Sequence, residues 1–311
     1  MDIAAFANRL RKNQRHWSKW ARRRGISCYR IYDRDIPEFP LAIDWYEGRV
    51  HAQTFTRKGF EEQDREQEAL IAQTMCEVFE IGPQELAFKT RQRQRGLNQY
   101  EKTASQGQPF TVHEAGLAFE VDLYSYLDTG LFLDHRNTRA LVRDRSAGKR
   151  VLNLFAYTGS FSVYAAAGRA HAVTSVDLSN TYLAWARRNL RMNGLDSTQH
   201  EFKRTDAFDY LEQAVRERRQ FGLIVLDPPS FSNSKKMQAT LDVQRDQARL
   251  ITASLSLLKQ GGELFFSTNR RKFKLDPEIM RNGNCEEITR QTVPEDFRRH
   301  PSHRCWCLQK S

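Results

Sequence analysis

Three aspartates close strand-like runs in the second half of the chain. Asp177 ends AVTSVD, Asp206 ends HEFKRTD and Asp227 ends FGLIVLD, while a fourth run, RVLNLFA, leads into the loop Asn153 to Gly159. An acid at such a point either caps the next helix or faces a ligand. The loop carries a single glycine, Gly159, and the chain has neither G-x-G-x-x-G nor G-x-x-x-x-G-K-[ST] there, so a phosphate cradle is disfavoured. One glycine followed by an acid at the next strand suits a nucleoside without phosphates, with Asp177 accepting its ribose hydroxyls and Asp206 near its base. S-adenosylmethionine has that chemistry, and its sulfonium cation favours an acidic site.

These residues need a scaffold that gathers strand ends. From about residue 150, strand and helix alternate, with helices expected up to Gly168 and over 181–193, 207–218 and 242–258, and a last strand at GGELFFST. Alternation of this kind predicts an α/β fold, a mostly parallel sheet covered by helices on both faces. Ligands of such sheets sit at the carboxyl ends of the strands, where the three aspartates lie.

The first half reads differently. Residues 9–24 hold Arg9, Arg11, Lys12, Arg15, Lys19, Arg22, Arg23 and Arg24, and the only acid before Asp33 is Asp2. Phe6, Leu10, Trp17 and Trp20 recur at helical spacing and Gly25 is a natural stop, which predicts one amphipathic, cationic helix. RNA contact is the preferred reading; a presequence, an anionic membrane surface and a solvated helix docked on its own domain are the alternatives. Strands at 28–33, 41–46 and 50–55 and a helix at 63–79, with Ala69, Leu70, Thr74, Val78 and Phe79 inward, make a small α+β unit. Lys89, Arg91, Arg93 and Arg95 then alternate, so on a strand they share one face that a phosphate backbone would neutralise. A charged edge strand guarded against aggregation is the plainer reading. The composition shifts near residue 120, giving an expected division into 1–120 and 121–311.

The 311 residues carry 49 Lys+Arg against 38 Asp+Glu, a net charge of +11, which calls for a polyanionic partner. No apolar run approaches the roughly 18 residues of a membrane span. Five cysteines, with only Cys305 and Cys307 close together at a strand-like spacing, predict reduced thiols and a cytoplasmic setting.

LNLFAYTGSFSVYAA, VDLSNTYLAWARRNLRMNG, TDAFDYL and LDPPSFSNSKKM, preceded by YLDTGLFLDHR, resemble the class I S-adenosylmethionine-dependent RNA methyltransferases. More closely the chain is similar to the guanine-N7 methyltransferase module in the carboxyl-terminal half of bifunctional large-subunit ribosomal RNA methyltransferases. That similarity extends to WARRRGISCYRIYDRDIPEF, KTRQRQRGLNQYEK, DVQRD and FSTNRRKFKLD, so it runs nearly end to end. The resemblance implies a Rossmann-like, seven-stranded methyltransferase domain after a basic helix and a small α+β domain. It implies S-adenosylmethionine as cofactor, S-adenosylhomocysteine as product and no metal. Large-subunit (23S) ribosomal RNA would be the partner, with a second methyltransferase module either separate or fused. Asp134 and Arg136, with Asn153, Phe155, Tyr157, Thr158 and Gly159, would hold the methionine end. Asp177 and Leu178 would hold the ribose, and Asp206 and Ala207 the adenine. Asp227, Pro228 and Pro229 would line the side facing the target base. Arg15, Lys19, Arg22, Lys89, Arg91, Arg93, Arg95, Lys235, Lys236, Arg270 and Arg271 would grip RNA.

The residue types also bear on which atom is methylated. A pyrimidine carbon-5 needs a cysteine nucleophile, and no cysteine lies between Cys76 and Cys285, so that reaction is disfavoured. Enzymes acting on an exocyclic amine commonly show [DN]-P-P-[FYW]; here Ser230 fills the fourth place and Phe231 follows it. Guanine N7 has an in-plane lone pair free at neutral pH, so orientation alone can suffice. Pro228-Pro229 as a mere strand terminator, and a non-catalytic RNA-binding or assembly protein on the same fold, are the rival readings.

Overall fold

The computed structural model describes residues 2–55, 63–90, 108–126, 128–232, 240–281 and 284–310. Arg91, Arg93, Arg95, Lys235 and Lys236 lie outside the described residues. Two compact units emerge: Met1–Gly116 with Val121–Thr129 and Glu295–His300, and Leu117–Glu120 with Gly130–Pro294 and Pro301–Ser311.

In the first unit, helix α1 (Ile3–Arg24) starts where the Asp2 carboxylate accepts the amide of Ala5 at 2.9 Å, and it stops at Gly25, whose φ of 62° closes the last turn. Its apolar stripe buries Phe6 and Leu10, with Phe6 stacked on Phe39 at 4.3 Å, while Arg15, Lys19 and Arg22 are exposed. The helix covers a four-stranded sheet, β1 (Cys28–Asp33), β2 (Leu41–Tyr46), β3 (Arg49–Thr54) and β4 (Leu86–Thr90), in that order. β1 to β3 are antiparallel, and β4 runs parallel to β3. Helix α2 (Gln63–Phe79) buries Ile71, Met75, Val78 and Phe79 as well as Thr74, whereas Leu70 is 48% exposed. The expected inward positions of Ala69 and Leu70, both exposed, are therefore corrected: the buried stripe is centred on 71, 75 and 78, and positions 69 and 70 lie about 200° and 100° from 71 around the helix.

Strands β5 (Phe110–Glu114) and β6 (Leu117–Val121) follow. The second unit contains the expected parallel sheet. Its strands are β7 (Arg150–Leu154), β8 (Ala172–Asp177), β9 (Glu201–Arg204), β10 (Phe221–Leu226), β13 (Leu258–Thr268), β14 (Cys285–Glu287) and β15 (Arg304–Gln309); β11 (Phe231–Ser232) and β12 (Leu241–Asp242) pair separately. The order is β14-β15-β13-β10-β7-β8-β9, in which β15 runs antiparallel to both neighbours. The chain moves outward from β7 through β8 to β9 and then returns to β10 on the other side of β7, so the switch point falls between β7 and β10. Helices α3 (Arg136–Asp144), α4 (Ser160–Ala167), α5 (Asn180–Met192), α6 (Ala207–Arg216), α7 (Val243–Ser256), α8 (Pro277–Arg281) and α9 (Thr289–Thr292) complete the unit. Ile224, Leu226, Leu250, Ile251, Leu264 and Phe266 are wholly buried in one apolar core beneath the strand ends. Among the described residues no helix is long and apolar enough to cross a membrane.

Candidate active site

The β7–α4 loop is held in an uncommon shape. Phe155 (φ 56°) and Tyr157 (φ 50°) both occupy the left-handed region, which is unusual for bulky side chains. Several bonds fix it there. The amide of Ala156 donates to the Val176 carbonyl at 2.9 Å and that of Tyr157 to Asp177 Oδ2 at 2.9 Å; Thr158 Oγ1 donates to the Gly130 carbonyl at 2.5 Å, and Asn189 Nδ2 to the Thr158 carbonyl at 2.9 Å. Tyr157 packs edge-on against Tyr182 at 4.6 Å and near Phe132 at 5.3 Å. Gly159 begins the helix at φ 73°, and a Cβ there would lie 2.6 Å from that of Ala186, so only glycine fits.

Asp177 receives the Tyr157 amide on Oδ2 and the Ser179 amide on Oδ1 at 2.8 Å. Each oxygen keeps a second lone pair, so the carboxylate can still accept a pair of hydroxyls. Burial pushes its pKa up to about 6, with the two amide bonds pulling back against that rise. The ionised form is the acceptor, so binding of an adenosyl ligand should weaken as pH falls through about 6. S-adenosylhomocysteine affinity is expected to drop by about tenfold between pH 7 and pH 5, and Asp177→Asn should bind weakly at both. Calorimetry at the two pH values checks this; a wild-type affinity constant across the range contradicts it.

Asp227 lies at the end of β10. Its Oδ1 accepts the Ser267 hydroxyl at 2.6 Å, and Oδ2 lies 3.6 Å from His135 Nε2. The His135 ring stacks on His303 with centroids 4.2 Å and planes 19° apart, and His303 Nδ1 lies 3.5 Å from Asp134 Oδ2, which also accepts the Ser302 hydroxyl at 2.7 Å. Burial would raise the Asp134 pKa, but His135, His303 and Ser302 together hold it well below the usual carboxylate range. Donor atoms of Asp134, His135 and His303 all fall within 4.8 Å of one another. Imidazoles bind a metal through lone pairs in the ring plane, however, and near-parallel stacked rings send those lone pairs side by side and not to one point.

Residues 30–299 match the family described as S-adenosylmethionine-dependent methyltransferase. The chain belongs to that family. It is 53% identical over 98% of its length to a Neisseria meningitidis protein named ribosomal RNA large subunit methyltransferase K, covering 87% of that protein. It is 48% identical to the Methylococcus capsulatus ribosomal RNA large subunit methyltransferase K/L, of which it spans only 42%. The crystal structure of the methyltransferase SMU.776 complexed with SAH superimposes with a TM-score of 0.79 at 25% identity, covering 99% of this chain and 82% of the other. The fold is thus that of a class I S-adenosylmethionine-dependent methyltransferase, and S-adenosylmethionine is its cofactor.

Within this methyltransferase the structure brings Asp134, Phe155, Tyr157, Asp177 and Asp227 to the carboxyl edge of the parallel strands, while other expected contact residues lie deeper. Asn153 is buried, its amide bonded at 2.9 Å to Ser162 Oγ, which meets Ser175 Oγ at 2.8 Å; it ties β7 to α4 and β8. Thr158, Arg136 and Ala207 are also buried, and Leu178 is half-buried. Asp206 caps α6 by accepting the Phe208 amide on Oδ1 at 2.7 Å, an arrangement compatible with a ligand contact through Oδ2. Pro228 is buried and Pro229 half-buried after Asp227.

Two expected cations are engaged elsewhere. Lys89 Nζ donates to the Tyr126 carbonyl, and burial pushes its pKa down to about 8 against the opposing pull of Asp128 and Asp122, so it turns into the first unit. Arg270 forms a 2.7 Å ion pair with Asp242, the residue that caps α7, whereas Arg271 is exposed. Strand β15 also brings a thiol beside the site, since Cys305 pairs in register with Ser267. Burial, together with the charge of Asp227, pushes that thiol far above its ordinary pKa. It therefore stays protonated and is no nucleophile. His135, His303 and Ser267 carried no sequence signal strong enough to nominate them, although His135 stands inside GLFLDHR and Ser267 inside FSTNRRKFKLD.

Proposed function

We propose that this methyltransferase transfers the methyl group of S-adenosylmethionine to N7 of a guanine in large-subunit ribosomal RNA. The observation that carries this reading is the fixed carboxylate of Asp227, with Ser267 on one oxygen and His135 near the other, beside a thiol kept protonated. The names of the two relatives support an RNA of the large subunit as substrate. The N7 lone pair forms the new N–C bond while the S–C electron pair returns to sulfur, and no proton moves. Positive charge passes from sulfonium to base, and a fixed anion next to the receiving ring stabilises that shift without reorganising. Orientation supplies the remainder, and neither a covalent intermediate nor a metal is required.

On this reading residues 1–120 are an RNA-binding accessory region and 121–311 the methyltransferase domain, acting in the cytoplasm, with a second methyltransferase module as a separate or fused companion. An unstacked guanine must be presented to the pocket. The exposed row Arg15, Lys19 and Arg22 on α1 would hold the backbone around it. Replacing all three with alanine is expected to reduce the slope of log affinity against log salt by about 2 to 3, while cofactor affinity stays unchanged. Filter binding at several salt concentrations checks this, and an unaltered slope argues that α1 does not contact RNA. The reaction itself is tested with labelled cofactor and unmodified large-subunit RNA, followed by borohydride and aniline cleavage. Cleavage at one guanosine is the expected result; label without cleavage would point to an amine or another base atom. Absence of both label and cofactor binding would favour a non-catalytic assembly role.

A further inference from the structure

The His135–His303 stack is the part of the pocket that methyl transfer, as described, leaves without a task. It joins two carboxylates: Asp134 lies 3.5 Å from His303 Nδ1 and Asp227 lies 3.6 Å from His135 Nε2. The His303 side chain is wholly buried and that of His135 only 8% exposed. Thr292 Oγ1 meets His303 Nε2 at 3.2 Å, Ser302 holds Asp134, and Phe161 sits edge-on to His135. Arg139 and the Cys305 thiol are further ionisable groups near these rings and carboxylates, and buried Arg136 follows His135 in the chain.

We propose that this stacked pair sets the charge of the methyl-donor pocket and thereby its preference between S-adenosylmethionine and S-adenosylhomocysteine. With the rings uncharged, Asp134 and Asp227 set two carboxylates unopposed by the stack on the donor's side of the pocket, and the sulfonium cation is favoured over the neutral thioether. A proton taken up by the pair offsets half of that charge and weakens the preference. The inference deepens the proposed function, because it rests on Asp134 and Asp227 lining the donor's side of the pocket.

Two imidazoles 4.2 Å apart resist becoming cations together, so the stack accepts one proton far more readily than two. For His135 burial is the largest influence and pushes its pKa down, helped by His303 and Arg139 and opposed by Asp227 and Asp134. Burial of His135 thus favours its uncharged ring, and acid favours uptake of the proton. The two ligands share adenine, ribose, amino and carboxyl groups, so every common contact, that of Asp177 included, cancels in the ratio of their dissociation constants. What remains is the methyl group and its charge, and the ratio therefore reads the pocket's charge through linkage.

The test is calorimetry on the full chain with each ligand at pH 8 and pH 5.5. In the wild-type protein the preference for S-adenosylmethionine is expected to fall several-fold at the lower pH, and in the double variant His135→Gln/His303→Gln, which leaves no ring in the stack to take the proton, the ratio should stay constant. A wild-type ratio that does not change overturns the inference, and this measurement stands even where a glutamine variant fails to fold. A ratio that shifts as much in the double variant overturns it too, by assigning the proton elsewhere. Failure of the pocket assignment has a separate signature: a ratio at pH 8 unchanged in both Asp134→Asn and Asp227→Asn, which removes the foundation of the inference as well.

Discussion

Asp227→Asn is expected to slow methyl transfer by about two to three orders of magnitude, while the affinity for S-adenosylmethionine changes by no more than about tenfold. The carboxylate stands at the end of β10, held by Ser267 at 2.6 Å, and it is the formal negative charge next to the proline pair. Asparagine keeps the shape and can still accept from Ser267, so folding and positioning survive and the missing charge is isolated. That charge matters most when the positive charge leaves sulfur for the base, which is why the loss should appear in kcat and not in KM. Ser267→Ala, which frees the carboxylate to rotate but leaves it charged, should cost only about tenfold. Single-turnover rates with saturating cofactor measure both. An Asp227→Asn enzyme at the wild-type rate would remove Asp227 from the chemistry.

The same variants bear on the target atom. An exocyclic amine must surrender a proton after attack, and Asp227 would be its acceptor, so amine methylation should show a solvent deuterium isotope effect that Asp227→Asn alters. N7 methylation has no proton to lose. Its single-turnover rate is expected to show no solvent isotope effect that depends on Asp227.

Much of the second unit was legible because its strands and helices obey local rules. FGLIVL is a continuous apolar run suited to a buried parallel strand, AVTSVD is a β-branched run buried over its middle four residues, and Ser179 and Gly159 stand at helix starts. Asp177 and Asp227 could be singled out because a strand end is a place, not merely a residue type. The rest depends on contacts between distant segments. His303 reaches Asp134 only because β15 inserts between β13 and β14, and the same insertion sets Cys305 opposite Ser267. A cysteine count along the chain cannot register such a neighbour. Glu295–His300 joins the first unit, where Asp296 accepts the Arg30 amide at 3.0 Å and Arg30 lies over the Phe297 ring, and no local pattern announces that return. Lys89 likewise has the alternation of a cationic face, yet its amine finds a carbonyl within its own unit.

Gly159→Ala is expected to abolish measurable cofactor binding and to lower the melting temperature. Two costs add at this position. The φ of 73° places an L-residue in the left-handed region, at about 1–2 kcal/mol, and the new methyl group would sit 2.6 Å from the Ala186 Cβ and 3.1 Å from its Cα, an overpacking of about 1–3 kcal/mol. Ala186 belongs to α5, which is anchored by buried Leu183, Trp185 and Leu190, so it cannot yield cheaply. The loop must move instead, and with it Phe155, Tyr157 and the amide that orients Asp177. At roughly 2–4 °C per kcal/mol for a domain of this size, the transition should fall by about 5–15 °C. Gly194→Ala supplies the control: its φ is 67°, but nothing lies within 4 Å of a Cβ there, so it bears the backbone cost alone. Thermal melts and calorimetry with S-adenosylhomocysteine on both variants separate the terms. Equal melting shifts would show that α5 accommodates the methyl group. Retained ligand binding in Gly159→Ala would show that the shape of the β7–α4 loop is not what holds the cofactor.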